Sequence, residues 1–585
     1  MIMIVQELTK LQQRDGYLSD EALVRLADRL TVPLYRIHEV ASFFPHFRRQ
    51  PPPQVRVQVC QDMSCLLRGA GGQLAALQSV WPDGHGDVLI EGVSCLGRCD
   101  RAPVTAVNDR IYAARSVEDL RRVVGQTCAG EQPPADLDSE LAEVLPDHWT
   151  IDPYQDQRSY AAVQASVKDG HADHVIAALE TADLLGMGGA GGRSYKKWAD
   201  VRRAEGKQKY VVCNADESEP GTFKDRELLL RAPHLVIEGM VLGGLVVGAT
   251  QGYVYIRHEY HEQIEVMREA IDEARRLQIC GSDVLGTGRP FELEVFVSPG
   301  GYICGEQTAL IEALEDKRAE PRNRPPELQT NGLWDKPTLL NNVETFAWVP
   351  VILLKEAGNW FAAEGLDGCK GRRFFSISGD VARPGAYEVP NGTRLGDLID
   401  NFAGGMRDGQ KLQAVALSGP SGGFLPAEVP VSALSPRFVE AELETGATHF
   451  PLRDARLDIR TFRTMGLMLG AGIVVFGEEA DLVAQAVTCQ RFYRDESCGK
   501  CVPCRKGSQR LWQIAGQLEA TQPSEATLQA TGSLVAELGE TMELTSICGL
   551  GQVASNPLRT LLQYFPDALR TNGAAVSDTR PQREV

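Results

Sequence analysis

The chain has 585 residues, room for roughly four domains, with 78 acidic against 60 basic side chains and a formal net charge of −18. That acidity excludes nucleic-acid binding as the main task and suits a protein working among other subunits. No apolar run reaches membrane-spanning length, and the N-terminus lacks a signal peptide's order. The expectation is a cytoplasmic protein without direct membrane insertion, in which 14 cysteines read as metal ligands or free thiols rather than disulfides.

Residues 1–50 read as short helices, with Leu8, Leu11, Leu18, Leu23, Leu26 and Leu30 as apolar positions and turns at Val32-Pro33 and Ser42-Phe43-Phe44. After Pro51-Pro52-Pro53, an alternating strand at 55–59 leads to Cys60, and Cys65 comes next. A helical stretch over 68–80, a strand at 88–90, then Cys95 and Cys99 complete a C-x4-C and C-x3-C set. Four thiolates at two strand exits can converge on one metal centre. The loose spacing favours an iron–sulfur cluster, with zinc as the alternative. Residues 129–175 read as an acidic, proline-bearing linker without long periodicity.

The stretch 184–226 organises the middle of the chain. Leu184-Leu185-Gly186-Met187-Gly188-Gly189-Ala190-Gly191-Gly192 is too glycine-dense for a core and suits N–H groups crowding round an anion, a flexible surface loop being the plainer alternative. Strands at 210–213, 252–256 and 291–297 alternate with helices at 232–247 and 261–277, an α/β arrangement. Polar groups gather at Asn214-Ala215-Asp216-Glu217-Ser218-Glu219, at Tyr302-Ile303-Cys304-Gly305-Glu306-Gln307 and at Asn341-Asn342. Three such junctions suit a phosphate-bearing cofactor at strand ends, although each alone also reads as helix capping.

From about 372 to 452 short β-rich pieces suggest a small ubiquitin-like domain. The helical section beyond it carries Cys498-Gly499-Lys500-Cys501-Val502-Pro503-Cys504 and a distant Cys548, the ligand pattern of a [4Fe–4S] cluster. Arg505 and Lys506 beside it suit either charge compensation or a solvated face. Cys128, Cys213, Cys280, Cys304, Cys369 and Cys489 lack ligand spacing and read as buried apolar side chains. The residues after about 574 read as a frayed tail.

With Leu18-Ser19, Val32-Pro33, Val40-Ala41-Ser42-Phe43-Phe44, the four thiols and Cys95-Leu96-Gly97-Arg98-Cys99-Asp100-Arg101-Ala102-Pro103, residues 1–110 resemble the small thioredoxin-like [2Fe–2S] subunit of the respiratory complex I NADH-dehydrogenase module. Residues from about 176 to 570 resemble that module's flavoprotein subunit. The resemblance implies that Gly186, Gly188, Gly189 and Lys197 hold the FMN phosphate, and that Asn214, Asp216 and Glu217 bind the flavin ring and ribityl chain. Tyr302, Gly305, Glu306, Asn341 and Asn342 would complete the pocket. Glu219 would sit by the nicotinamide amide, and Arg324 would contact the dinucleotide. The chain departs from the family at Met187, an arginine there, and at Gly192 and Glu327, aromatic residues that pack on adenine. At Gln307 the family commonly has a second acidic residue that selects NADH.

The expected fold is multidomain α/β. It comprises an N-terminal helical segment (1–50), a thioredoxin-like [2Fe–2S] domain (54–128), a linker (129–175), an α/β FMN- and NAD-binding domain (176–368), a ubiquitin-like SLBB-type β-grasp domain (370–455), a helical [4Fe–4S] domain (456–573) and a tail (574–585). No Ser-His-Asp set, acid–base His motif or Walker loop is apparent, so chemistry falls to FMN, [4Fe–4S], [2Fe–2S] and NAD. Fusion of the two parts resembles the β subunit of NAD-dependent molybdenum- or tungsten-containing formate dehydrogenases, and also the diaphorase chain of NAD-reducing hydrogenases. The four N-terminal thiols, with no further ferredoxin domain, favour the first and imply a large formate dehydrogenase-type partner. NADP, a protein acceptor or a conduit without a working dinucleotide site are the alternatives that Gln307, Gly192 and Glu327 leave open.

Overall fold

The computed structural model describes residues 4–82, 87–138, 149–154, 159–169 and 172–571. Helices Ile4–Asp15, Asp20–Leu30 and Leu34–Phe43 open the chain, with Leu8, Leu18, Leu23 and Val40 fully buried between them. The Ser19 hydroxyl accepts from Ala22 N at 3.2 Å, satisfying one of the free donors at the second helix's start.

Strand β1 (Val55–Cys60) sends Val55, Val57 and Val59 into the core, the two-residue period of a pleated strand. It pairs in parallel with β2 (Val88–Val93) and antiparallel with β3 (Val104–Val107), which pairs with β4 (Arg110–Ala113). The order β2-β1-β3-β4, flanked by helices Ala70–Val80 and Val117–Cys128, is the thioredoxin-like layout. The helical stretch expected over 68–80 is one helix, Ala70–Val80, preceded by a short helix Met63–Leu67 that was not expected, with Gly69 at φ 83° between them.

The segment 129–175 is more than a linker. A helix covers Ala161–Asp169, and two aromatic anchors pin the preceding chain. Trp149 meets Phe374 edge-on at 4.7 Å, and Tyr154 OH donates to Glu238 Oε2 at 2.8 Å. Isolated anchors of this kind leave no periodicity to read.

Strands β5 (Tyr210–Ala215), β6 (Gln251–Ile256), β7 (Glu292–Val297) and β8 (Thr338–Asn342) form a wholly parallel sheet in the order β7-β6-β5-β8. Helix Pro233–Val247 is buried on nearly all sides, as an all-round apolar helix must be. It packs on helix Val343–Leu354 so closely that a Cβ at Gly239 would lie 2.1 Å from Phe346 O. Among the described residues no single helix is long and apolar enough to cross a membrane, and the bent pair Lys224–Arg231 and Pro233–Val247 that approaches the length is core.

The small sheet departs from expectation. Strands β9 (Arg372–Gly379), β10 (Gly385–Pro390), β11 (Leu412–Pro420) and β12 (Leu425–Pro426) lie in the predicted region, with β13 (Glu428–Pro430) and β14 (His449–Pro451) as a separate ribbon. The strand between β9 and β11 is β15 (Gly472–Gly477), from the section expected to be helical. Its run Ile473-Val474-Val475-Phe476, fully buried, is the continuous apolar signature of an inner strand. Beyond it the chain is helical: Leu482–Asp495, Val502–Ala520, Glu525–Thr545 and Asn556–Tyr564. Of the six other cysteines, Cys213, Cys280, Cys304 and Cys489 are buried as expected, but Cys128 and Cys369 are only half-buried. The expected tail after 574 lies outside the described residues.

Candidate functional site

The C-terminal ends of β5, β8 and β7 open on one side of the parallel sheet. Parallel pairing puts Asn214 beside Asn342. Asn214 Nδ2 donates to Gly305 O at 2.9 Å, and Asn214 Oδ1 accepts from Asp216 N at 3.1 Å. Asn342 is fixed from both ends, Nδ2 donating to Asp225 Oδ2 at 2.6 Å and Oδ1 accepting from Lys224 Nζ at 3.2 Å. A Cβ at Gly188 would stand 3.3 Å from Asn342 Cβ, so the glycine loop lies directly against this amide. Gly186 N donates to Gly192 O at 2.7 Å, closing that loop on itself, and Gly189 takes φ 105°. Lys197 Nζ donates to Leu340 O at 2.9 Å. Asn341 instead turns its amide to the buried Trp198 indole, accepting from Nε1 at 2.9 Å.

The carboxylates divide into distinct duties. Glu217 caps the Lys224–Arg231 helix, accepting from Asp225 N at 2.9 Å and Arg226 N at 3.1 Å, and takes Tyr260 OH at 3.1 Å. Burial, reinforced by Asp225, pushes its carboxyl up to about 8. Glu219 accepts from the Tyr302 hydroxyl and from Ser421 N at 3.2 Å, and burial raises its pKa too. Asp216 is buried, pushed up to about 6 by that burial, and its Oδ2 has no hydrogen-bond partner among the described residues. Glu306 Oε2 accepts from Thr308 N and Ala309 N at 2.9 Å each, while Oε1 takes Arg324 Nη2 at 2.9 Å. The Gln307 amide oxygen also accepts from Arg324, whose far side faces Glu327 at 3.9 Å. Gly192 and Glu327 are both exposed.

Two sets of thiols flank this cleft. Cys60, Cys65, Cys95 and Cys99 are all buried. Cys95 Sγ lies 3.4 Å from Cys99 Sγ, and Cys60 contacts both Cys65 and Cys95. Cys498, Cys501, Cys504 and Cys548 line one small cavity together with Ile303 and Pro321. Among the described residues no three or more His, Cys, Asp or Glu groups crowd round a single point as one bound ion requires; the second thiol set rings a space instead. Tyr302 N donates to Glu496 Oε2 at 2.7 Å, tying the cleft to the C-x2-C-x2-C loop. Of the two basic residues beside that loop, Arg505 folds back on Gly499 O.

Sequence reasoning missed the arginines that hold the Cys95–Cys99 loop. Arg257 Nη2 donates to Cys95 O and Arg226 Nη1 to Gly97 O, each at 2.8 Å, and Arg98 Nη1 donates to Leu96 O at 2.9 Å. Arg226 also pairs with Asp100 at 2.8 Å, 126 residues away in sequence. Arg226 and Arg257 come from the parallel-sheet domain, so only the assembled fold shows the task.

The donor set fits a flavin mononucleotide. Glycines bare the loop beside Asn342, Lys197 adds a cation, and the orphaned Asp216 Oδ2 lacks only a hydroxyl donor. Three family models agree with this division: a thioredoxin-like [2Fe–2S] ferredoxin over residues 2–127, the Nuo51 FMN-binding domain over 179–351 and the NADH-ubiquinone oxidoreductase-F iron–sulfur binding region over 484–572. An SLBB domain matches 374–425.

The F 2 subunit of the NADH-quinone oxidoreductase of Rhizobium meliloti (strain 1021) is 37% identical over 423 residues, 72% of this chain and 94% of that protein. The NAD-reducing hydrogenase HoxS subunit alpha of Cupriavidus necator is 32% identical over 591 residues, 96% of this chain and 91% of that one. A crystal structure of an NAD+-reducing [NiFe]-hydrogenase in the H2-reduced state superposes with TM-score 0.83 at 29% identity, covering 98% of this chain and 93% of that chain. The chain, whose family models carry FMN, [2Fe–2S] and [4Fe–4S] cofactors, therefore belongs to the family of diaphorase-type NAD(H) oxidoreductase subunits that includes the F-type subunits of NADH-quinone oxidoreductases and the hydrogenase alpha subunit.

Proposed function

We propose that this chain is the electron-transferring diaphorase of a larger cytoplasmic complex, working between a partner catalytic subunit and NAD. One observation carries the reading: the segment from Tyr302 to Glu306 belongs to both sites. Gly305 O holds Asn214, Tyr302 N holds Glu496, and Ile303 lines the cavity ringed by the second four thiols. FMN supplies exchange between hydride and single electrons, and the clusters take electrons one at a time.

The chain's own residues bind and orient. Gly186, Gly188, Gly189 and Lys197 hold the phosphate. Asn214, Asp216, Glu217, Tyr302, Gly305, Glu306, Asn341 and Asn342 frame the flavin, Glu217 and Asn341 from behind. Glu219 is steadied by Tyr302 and Ser421 on the nicotinamide side, and Arg324 with Gln307 meets the dinucleotide. Cys60, Cys65, Cys95 and Cys99 ligate the [2Fe–2S] cluster; Cys498, Cys501, Cys504 and Cys548 ligate the [4Fe–4S] cluster. For the domain limits we keep the expected ones as part of the proposal, with β15 joined to the SLBB-type domain on its pairing with β9 and β11.

The partner is proposed to be a molybdenum- or tungsten-containing formate dehydrogenase subunit, on the fused architecture with its full N-terminal thiol set. A hydrogenase partner is the second reading, favoured by the match to the HoxS alpha subunit over 96% of the chain. Anaerobic purification with co-purifying subunits, then NAD+ reduction under formate or under hydrogen, separates the two. Formate-driven reduction is expected; a response to hydrogen alone overturns that partner. Absence of flavin bleaching by either NADH or NADPH overturns the diaphorase reading itself.

A further inference from the structure

Behind the glycine loop, where the parallel-sheet domain meets the SLBB-type domain, lies a second cavity of 270 Å³. Its walls include Gly186, Met187, Cys369, Lys370, Arg373 and Thr461. Arg373, on β9, is 4% exposed. Its guanidinium stacks on the Phe375 ring at 4.5 Å and has no hydrogen-bond or ion-pair partner among the described residues, with Nε sealed from solvent. Burial pulls its pKa down, and Glu344 and Asp458 favour its charge from beyond ion-pair distance. Both are committed elsewhere. Glu344 meets Lys224 at 3.0 Å and Phe374 N at 2.8 Å, and Asp458 Oδ1 accepts from Arg460 N and Thr461 N at 2.9 Å each.

The other charges of the cavity are mostly paired off. Arg456 holds Glu442 at 2.9 Å and Arg460 holds Asp183 at 2.7 Å, leaving Lys370 and an exposed Asp367 at the mouth. A guanidinium with its face covered and its in-plane donors unspent matches a planar or tetrahedral oxyanion. An unpaired buried charge is otherwise costly to keep. The volume lies below the roughly 300–1,000 Å³ of drug-sized sites, which suits a phosphate or a small phosphate ester and excludes a dinucleotide.

We propose that this cavity binds a small phosphate-class anion, gripped by Arg373 and Lys370, and that the occupant braces the outer face of the glycine loop at Gly186 and Met187. The site shares Gly186 with the loop assigned to the flavin phosphate, but neither Lys197 nor Asn342 lines it, so it stands apart from the flavin reading. Cys369, half-buried in the same cavity, is the reporter. The flavin-loaded full chain is alkylated at constant ionic strength with added chloride, inorganic phosphate or AMP, and Cys369 modification is tracked by peptide mass spectrometry. Phosphate at ten times its dissociation constant should slow Cys369 about tenfold while chloride does nothing. Protection by AMP but not phosphate supports the site and assigns it to a phosphate ester. Arg373→Gln should abolish protection. Should that variant not fold, Lys370→Ala at the exposed mouth should weaken the apparent affinity several-fold. Equal rates with chloride, phosphate and AMP, or unchanged protection in both variants, would overturn the proposal.

Discussion

The backbone N–H of Gly221 donates to Cys99 Sγ at 3.4 Å, joining residues 122 positions apart. The donor sits on the loop that also carries Glu217 and Glu219, and the acceptor belongs to the N-terminal thiol set. Hydrogen bonds to ligand sulfurs favour the reduced, more negative state of a cluster. Gly221 adopts φ 93°, and a Cβ there would lie 2.7 Å from Val474 Cγ2, so alanine must displace the loop. Gly221→Ala should lower the [2Fe–2S] potential by about 40 mV, the equivalent of about 1 kcal/mol for one electron. The [4Fe–4S] potential should not move. An anaerobic redox titration monitored by electron paramagnetic resonance reads both at once; equal shifts in the two clusters would refute the link.

Lys224 is the hidden support of the flavin cleft. Although burial opposes its charge, Asp225 at 2.6 Å and Glu344 at 3.0 Å carry its pKa above the ordinary lysine range. From that position it orients Asn342. Lys224→Met leaves two buried carboxylates without their cation, a loss on the order of 3–5 kcal/mol. Thermal unfolding should show it, and the purified protein should lose most of its flavin. Adding Glu344→Gln should restore part of the stability but not the flavin, because Asn342 still lacks the lysine donor and keeps only the backbone N–H of residue 344. Full flavin content in Lys224→Met would rule out this supporting role.

The cysteine sets were legible because ligand chemistry demands fixed residue types at short spacing, and the glycine loop because only glycine tolerates such crowding. Three strands of the parallel sheet were legible because each is a local apolar run; the fourth, β8, was not, since only Leu339-Leu340 stands between its polar ends. What escaped depends on partners far away in sequence. β15 reads locally as an apolar stretch between helices, and only pairing with β9 and β11 makes it the sheet's third strand. The inward turn of Glu217 onto the Lys224–Arg231 helix, and of Asn341 onto Trp198, likewise depends on tertiary placement.

Gln307 stands at a helix start facing Arg324. A neutral amide there neither repels a 2′-phosphate nor neutralises the guanidinium, whereas a carboxylate would do both. Gln307→Glu should therefore leave kcat/KM for NADH within about threefold and cut that for NADPH at least tenfold, about 1.4 kcal/mol. Flavin bleaching rates with the two nucleotides provide the comparison. An equal fall for both would mean that the substitution merely locks Arg324 away.

Lys197 gives a pH test with two opposite slopes. Burial first, then the charge of Arg324, lowers its pKa from 10.5 to about 8, with Glu327 partly opposing. In the flavin-free protein the ammonium is charged below that value and neutral above it. FMN affinity should be level from pH 7 to about 8, then fall by up to tenfold per unit, because binding the phosphate must first restore the proton. Stability of the same flavin-free protein should move the other way. Between about 8 and 10.5 the unfolded chain binds the proton that the folded one has released, so this residue's contribution rises with pH. Lys197→Arg, charged throughout, should abolish both slopes while keeping affinity, and Lys197→Met should abolish both while losing it. Fluorescence titration of flavin and thermal melts across this pH range read the two effects separately. A fall in affinity that persists in Lys197→Arg would assign it to some other group.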